Sequence, residues 1–154
     1  MYGRILIAVD GSDTSTHALR EGLALARQSG SQACVAHVLD AVAPSGLGLT
    51  YVPAELLGAY REKARCVLDE ARAQAAEAGV HCETELLELT DISEDVAQRL
   101  QRCAQDLGAE LIVTGTHGRR GLARAMLGSV AENLVRLSTC PVLLVPHNAA
   151  RRPR

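Results

Sequence analysis

Five short apolar runs, each separated from the next by a stretch with helical periodicity, place the strongest constraint on the fold of this chain. Between the first two runs, for example, apolar residues recur at the three- and four-residue spacing of a helix face. Strands that alternate with helices form a mostly parallel sheet covered by helices on both faces. We therefore predict one α/β domain with a single, mostly parallel five-stranded sheet. The runs are Arg4–Val9, Ala33–Leu39, Cys82–Leu89, Ala109–Val113 and Pro141–Val145.

The runs differ in polarity, which predicts where each lies in the sheet. Cys82–Leu89 contains three glutamates and is the candidate edge strand, whereas the other four runs are almost continuously apolar. Continuously apolar strands are typical of positions buried on both faces. We therefore expect those four strands to be buried, the last run included.

Glycine, proline and acidic residues predict where the helices begin and end. Gly30 and Gly108 each follow a helical stretch and fit the left-handed residue that closes a helix. Asp91 with Glu94 resembles a capping box that opens the helix ending at Leu107. The segment 40–53 contains two prolines and two glycines, and we expect an irregular loop there.

Composition excludes several classes of function. The 154 residues include no Phe or Trp and only three Tyr, and the net charge is −2. Aromatic stacking platforms and a basic surface are therefore lacking, and we expect no nucleic-acid partner. No apolar stretch approaches the ~18 residues of a membrane span, so we expect no membrane insertion.

The five cysteines stand singly, without a C-x-x-C pair, and no histidine has a partner at zinc-ligand spacing. An odd, scattered set of cysteines is typical of reduced thiols in a cytoplasmic protein. We expect the cysteines to be small core residues, with Cys140 open to oxidation if it is exposed. A metal centre built from protein side chains alone is not expected.

The segment Thr114–Ser129, TGTHGRRGLARAMLGS, follows the fourth run and contains three widely spaced glycines, Gly115, Gly118 and Gly128. Glycine adopts backbone angles that other residues avoid and lets a ligand approach the main chain closely. Exposed peptide amides, together with the N terminus of the helix predicted over Ser129–Leu137, would bind a phosphate group. The alternative is a loop whose glycines serve only the turn.

Familiar nucleotide motifs do not fit the chain. A P-loop needs a lysine after its last glycine, but the only lysine, Lys63, lies in a predicted helix. A dinucleotide site needs G-x-G-x-x-G after the first strand, where this chain has Asp10 followed by Gly-Ser-Asp. Ligands of open parallel sheets bind at the carboxyl ends of the strands where the strand order reverses. Asp10 and the Gly115 loop both follow strands and are expected at that edge.

At this point the sequence resembles the universal stress protein family, from Arg4 to Pro146. The resemblance is carried by RILIAVDGS at 4–12, AHVLD at 36–40, GAELIVTGTHG at 108–118, LGSVAENL at 127–134 and CPVLLVP at 140–146. Gly115, Gly118, Gly128 and Ser129 match the G-x2-G-x9-G-[S/T] spacing of the family members that bind ATP.

The resemblance implies an open, Rossmann-like sheet with strand order 3-2-1-4-5 and helices on both faces, similar to that of the adenine-nucleotide α-hydrolases. It implies one family domain over 1–147, followed by a flexible basic tail, 148–154. ATP, with Mg or Mn, would lie across the carboxyl ends of strands one and four. The last strand, Val142–Val145, would pair two copies into a homodimer, which would also cover an apolar edge.

Site residues follow from the same resemblance. Asp10 would bond the ribose hydroxyls or help to hold the divalent ion, and Val38 would contact adenine. The remaining residues would hold the phosphates: Gly115, Gly118, Arg119, Gly128, Ser129 and Val130.

The implied function is that of an ATP-binding regulatory or stress-protection module with little or no turnover. Hydrolysis needs a base or a group that orients water, and only His117 in the loop is eligible. No catalytic residue is predicted, and the downstream protein partner is unknown. Two alternatives stay open: a slow ATPase, and a dimeric interaction protein that works without nucleotide.

Overall fold

The computed structural model describes residues 1–45, 48–89, 91–118 and 127–147. The predicted tail, 148–154, and Arg119 lie outside these ranges. Within them, strands and helices follow one another in this order: β1 Arg4–Ala8, α1 Asp13–Ser29, β2 Gln32–Asp40, β3 Val42–Ser45, β4 Gly48–Tyr51, α2 Ala54–Glu77, β5 Cys82–Leu89, α3 Val96–Leu107, β6 Leu111–Gly115, α4 Ser129–Leu137 and β7 Val142–Val145.

The main sheet has five parallel strands in the order β5-β2-β1-β6-β7. Counted among the five predicted strands, this is the order 3-2-1-4-5, so the predicted fold is confirmed. The chain runs outward from β1 to β2 and β5, and then returns to build β6 and β7 on the other side. The order therefore reverses at β1 and β6, whose carboxyl ends define the switch point of the sheet.

Helices cover both faces of the sheet because alternate strand residues point in opposite directions. On one face, Ile5 and Ile7 belong to a buried cluster with residues of α1 and α2. On the other face, Leu6 and Ala8 pack in a cluster with residues of α3 and α4. The central strand is thus buried on both sides, which holds the carboxyl end of β1 in a fixed place.

The two outer strands of the sheet are β5, as predicted, and β7. The expectation that the last run is buried on both faces is wrong, since the Leu143 side chain is 39% exposed. Apolar composition indicates that a strand is buried but does not indicate which part of the molecule covers it. Because β7 is an outer strand, it has a strand neighbour, β6, on one side alone.

The segment 40–53 is not an irregular loop, as expected, but contains an antiparallel hairpin of β3 and β4. Proline is tolerated where a strand has a free side, so its presence did not exclude a strand. Ala41, just before β3, connects the base of this hairpin to the sheet: its N–H donates to Leu89 O at the end of β5 (3.4 Å), and its carbonyl oxygen accepts a bond from Val52 N, just after β4 (2.9 Å).

Two predicted helix ends are confirmed, and one predicted start is wrong. Gly30 and Gly108 close α1 and α3 in the left-handed conformation, with φ of 67° and 62°. The capping box of α3 is formed by Asp95 and Gln98, not by Asp91 and Glu94. Asp91 instead accepts a bond from Ser93 N (2.9 Å) in a turn before the helix, a local pattern that its sequence spacing did not distinguish from a cap.

Candidate functional site

The carboxyl ends of β1 and β6 bring Asp10 and Gly118 into direct proximity. A Cβ atom placed on Gly118 would lie 2.7 Å from Asp10 Oδ2. Two segments that the sequence analysis predicted at one edge of the sheet are therefore in contact. Glycine at position 118 allows this approach, because a Cβ there would displace the Asp10 carboxylate from its present position.

The Asp10 side chain is held by the turn that follows β1. Its Oδ1 atom accepts a bond from Ser12 N (2.9 Å), across Gly11, whose φ is 81°. Ser12 caps α1 by accepting a bond from Ser15 N (3.2 Å). One carboxylate oxygen thus shapes the turn while the other lies beside Gly118.

The three loop glycines serve close approach, not unusual backbone angles. None of them has a positive φ, contrary to one expectation from the sequence. A Cβ on Gly115 would lie 2.6 Å from Thr14 Cγ2, and one on Gly128 would lie 3.1 Å from Thr116 O. Gly128 N also donates to Thr116 O (2.8 Å), which closes the segment before Gly118 onto the start of α4.

The N terminus of α4 faces this closed segment without a capping side chain. Gly128 is the N-cap residue, and no side chain of the described part of the chain bonds to the amides of the first turn. The amides of Ser129, Val130 and Ala131 have no acceptor within the helix. Free amides and the positive end of the helix dipole together favour an anion at this position.

Val38 and Val130 form part of an apolar wall on the α3–α4 side of the sheet. Both side chains are half-buried and pack against the cluster that contains Leu6 and Ala8. The structure thus places Val38 near the end of β2, on the sheet face covered by α4. Arg119, the remaining predicted phosphate ligand, lies outside the described residues.

Comparison with known proteins identifies the family of this chain. Residues 1–146 match the model of the universal stress protein family. The chain belongs to this family. The universal stress protein YxiE of Bacillus subtilis (strain 168) is 35% identical over 152 residues, which covers 94% of this chain and 99% of the relative.

Solved structures of universal stress proteins have the same fold. A crystal structure of a family member from Burkholderia pseudomallei is 41% identical, with a TM-score of 0.76, and the match covers 94% of this chain and 96% of that one. A crystal structure of a universal stress protein in complex with cAMP is 26% identical, with a TM-score of 0.69, covering 94% and 97% of the two chains.

Two residues of this universal stress protein, Thr116 and His117, contribute to the site more than the sequence analysis expected. Thr116 N donates to Val145 O (2.9 Å), and Thr116 Oγ1 lies 2.9 Å from His117 Nδ1. The other ring nitrogen, Nε2, is buried and has no hydrogen-bond partner among the described residues. Because buried polar atoms are nearly always satisfied, His117 is a candidate to bond a ligand. Its position between Gly115 and Gly118, in the glycine segment, was the available signal in the sequence.

Metal-binding side chains do not cluster in the part of this universal stress protein that the structure describes. No group of three or more His, Cys, Asp or Glu residues there could hold a metal ion. Asp10 is the carboxylate adjacent to the glycine segment. In the same described ranges, no helix has the length and apolar character needed to cross a membrane.

Proposed function

We propose that this universal stress protein binds ATP, with Mg²⁺ or Mn²⁺, and acts in the cytoplasm as a nucleotide-responsive regulatory or stress-protection module with little or no turnover. The observation that carries the proposal is the contact between Gly118 and Asp10, next to the uncapped N terminus of α4. Asp10, which would bind the ribose or the metal ion, therefore lies beside the start of α4, which would bind the phosphates, at the switch point of the sheet. The cAMP complex of the 26% identical family member supports an adenine nucleotide as the ligand class.

The phosphates would bind where main-chain amides are accessible. Gly115 and Gly118 provide a backbone without side chains. Gly128, as the N-cap, would let a phosphate approach the start of α4, where the amides of Ser129 and Val130 have no acceptor within the helix. Arg119 would add positive charge. The buried Nε2 atom of His117 would gain a partner if a phosphate oxygen reached it.

Asp10 and Val38 would hold the rest of the nucleotide. The Asp10 carboxylate would accept bonds from the ribose hydroxyls or share in the coordination of the divalent ion, which prefers oxygen ligands. Val38 would offer an apolar contact to the adenine ring on the α3–α4 side of the sheet.

Calorimetric titration of nucleotide-stripped protein with Mg-ATP tests the proposal. Gly118→Ala should abolish micromolar binding, because the added methyl group would occupy the space between the glycine segment and Asp10 Oδ2. Gly58→Ala is the matched control, since a Cβ on this exposed glycine of α2 meets no atom within 4 Å. Failure of the wild type to bind ATP, ADP, AMP or cAMP would refute the proposal.

Phosphate release measured in the same samples tests turnover separately. We expect release to stay near that of protein-free Mg-ATP. Steady release that disappears in His117→Gln while binding persists would instead establish the slow ATPase.

We also propose a homodimer that pairs β7 of two copies. β7 is an outer strand of the sheet, and its Leu143 side chain is exposed. An apolar strand with an unpaired edge is a surface that a second strand can cover.

A further inference from the structure

The branched side chain of Thr14, in the first turn of α1, contacts two different elements. Its methyl group packs against Gly115 so closely that a Cβ there would lie 2.6 Å from Thr14 Cγ2. Its hydroxyl group lies 3.1 Å from His147 Nδ1, just after β7. A β-branched side chain has few allowed χ1 angles, so a bond that orients the hydroxyl also orients the methyl group. The bond to His147 thus favours the rotamer in which the methyl group of Thr14 faces Gly115.

His147 is itself held in place from two directions. Its ring stacks on that of His17, one helical turn beyond Thr14, with centroids 6.3 Å apart and an interplanar angle of 20°. Two residues before it, Val145 O accepts a bond from Thr116 N (2.9 Å). The end of β7 is thus bound both to the first turn of α1 and to the glycine segment.

We propose that His147 and Thr14 are positioning residues for the phosphate loop. His147 orients Thr14, and the Thr14 methyl group sets the position of the Gly115 backbone, over which the nucleotide phosphates would lie. This inference rests on the proposed function for its ligand. The arrangement of His147, Thr14 and Gly115 itself is independent of nucleotide.

Affinity for Mg-ATP tests the role of His147. His147→Ala should raise the Kd by about threefold to thirtyfold, the usual range for residues that act on a site through others. In His147→Asn, the side-chain amide can replace Nδ1 as the hydrogen-bond partner of Thr14. This variant should therefore recover most of the affinity. His81→Ala is the matched control, because His81 is exposed and precedes β5 at the opposite edge of the sheet. The Kd of the His81→Ala protein should equal that of the wild type.

A second measurement uses protein without nucleotide. In ¹⁵N–¹H correlation spectra, the Gly115 amide resonance should move in His147→Ala and in Thr14→Val, which keeps the methyl group but loses the hydroxyl. The double variant should move it no further than the larger single change, because both substitutions break the same bond.

Three results would overturn the proposal: an unmoved Gly115 resonance in His147→Ala, additive shifts in the double variant, or a His147→Asn protein as weak as His147→Ala. If the wild type binds no nucleotide at all, the proposed function fails. The spectra would still show whether His147 positions Gly115.

Discussion

At the scale of single residues, burial divides cysteines that look alike in the sequence. Cys34 and Cys103 are buried in the sheet–α3 cluster, as expected of core residues, whereas Cys66 is exposed on α2. Burial, and to a lesser degree the neighbouring Cys103, raise the pKa of the Cys34 thiol to about 12. Burial also raises the pKa of Cys103. Cys140, singled out for its position before β7, is half-buried.

These differences predict the order in which the thiols react with iodoacetamide at pH 8. Only the thiolate reacts, and with a pKa of about 12 roughly one Cys34 thiol in ten thousand is ionised at that pH. Cys66 should therefore be alkylated first and Cys34 among the last, as followed by peptide mass spectrometry over time. Denatured protein is the control, in which all five thiols should react at similar rates. Early labelling of Cys34 in the folded protein would contradict the buried environment described here.

At the scale of elements, the packing of α1 on β1 depends on a glycine. A Cβ on Gly22 would lie 2.7 Å from Ile7 Cδ1, and Ile7 is fully buried in the central strand. Neither the helix nor the strand can move freely, because Ile7 belongs to a cluster shared with α2. The helix therefore lies closer to the sheet at this point than a side chain would allow.

Gly22→Ala should lower the free energy of unfolding by about 1–3 kcal/mol through overpacking. The helix propensity of alanine would offset only about 0.5–1 kcal/mol of that loss. Urea denaturation followed by circular dichroism measures the change. Gly58→Ala, in the open part of α2, should be neutral or slightly stabilising. Equal stability of the two variants would show that α1 can shift away from β1 without cost.

At the scale of the whole molecule, the two outer strands of the sheet present different surfaces. β5 exposes Glu83 and Glu85, and its Glu88 is bound by the Arg61 guanidinium through two bonds of 2.6 and 2.9 Å. The hydrogen bond from Arg61 lowers the pKa of Glu88, so this carboxylate stays charged. Acidic side chains on an outer strand oppose pairing with another sheet, whereas β7 exposes leucine. The contrast favours β7 as the strand that pairs two copies.

Leu143→Lys should convert the proposed dimer into a monomer, because charges from both copies would meet across the paired strands. Sedimentation velocity over a range of concentrations measures the mass. Leu56→Lys is the matched control, since Leu56 is similarly exposed, at 45%, but lies on α2 away from β7. A wild type that stays monomeric at every concentration, or a Leu56→Lys protein that dissociates as readily, would rule out pairing through β7.

The sequence by itself determined those features that depend on neighbouring residues. Alternating apolar and helical stretches indicated the α/β class, glycines at Gly30 and Gly108 marked helix ends, and glutamates marked β5 as an outer strand. Strand order followed from family resemblance, because periodicity does not encode which strands pair.

Only the tertiary structure decided what depends on packing between distant segments. It showed that Gly118 lies against the Asp10 carboxylate and that Gly115 lies against Thr14, so that a Cβ at either position would displace its neighbour. It also placed a hairpin in the segment 40–53 and linked Thr14 to His147. Local sequence patterns predict the backbone conformation of a segment and its burial. Contacts of this kind arise only when elements far apart in the chain pack at a fixed distance.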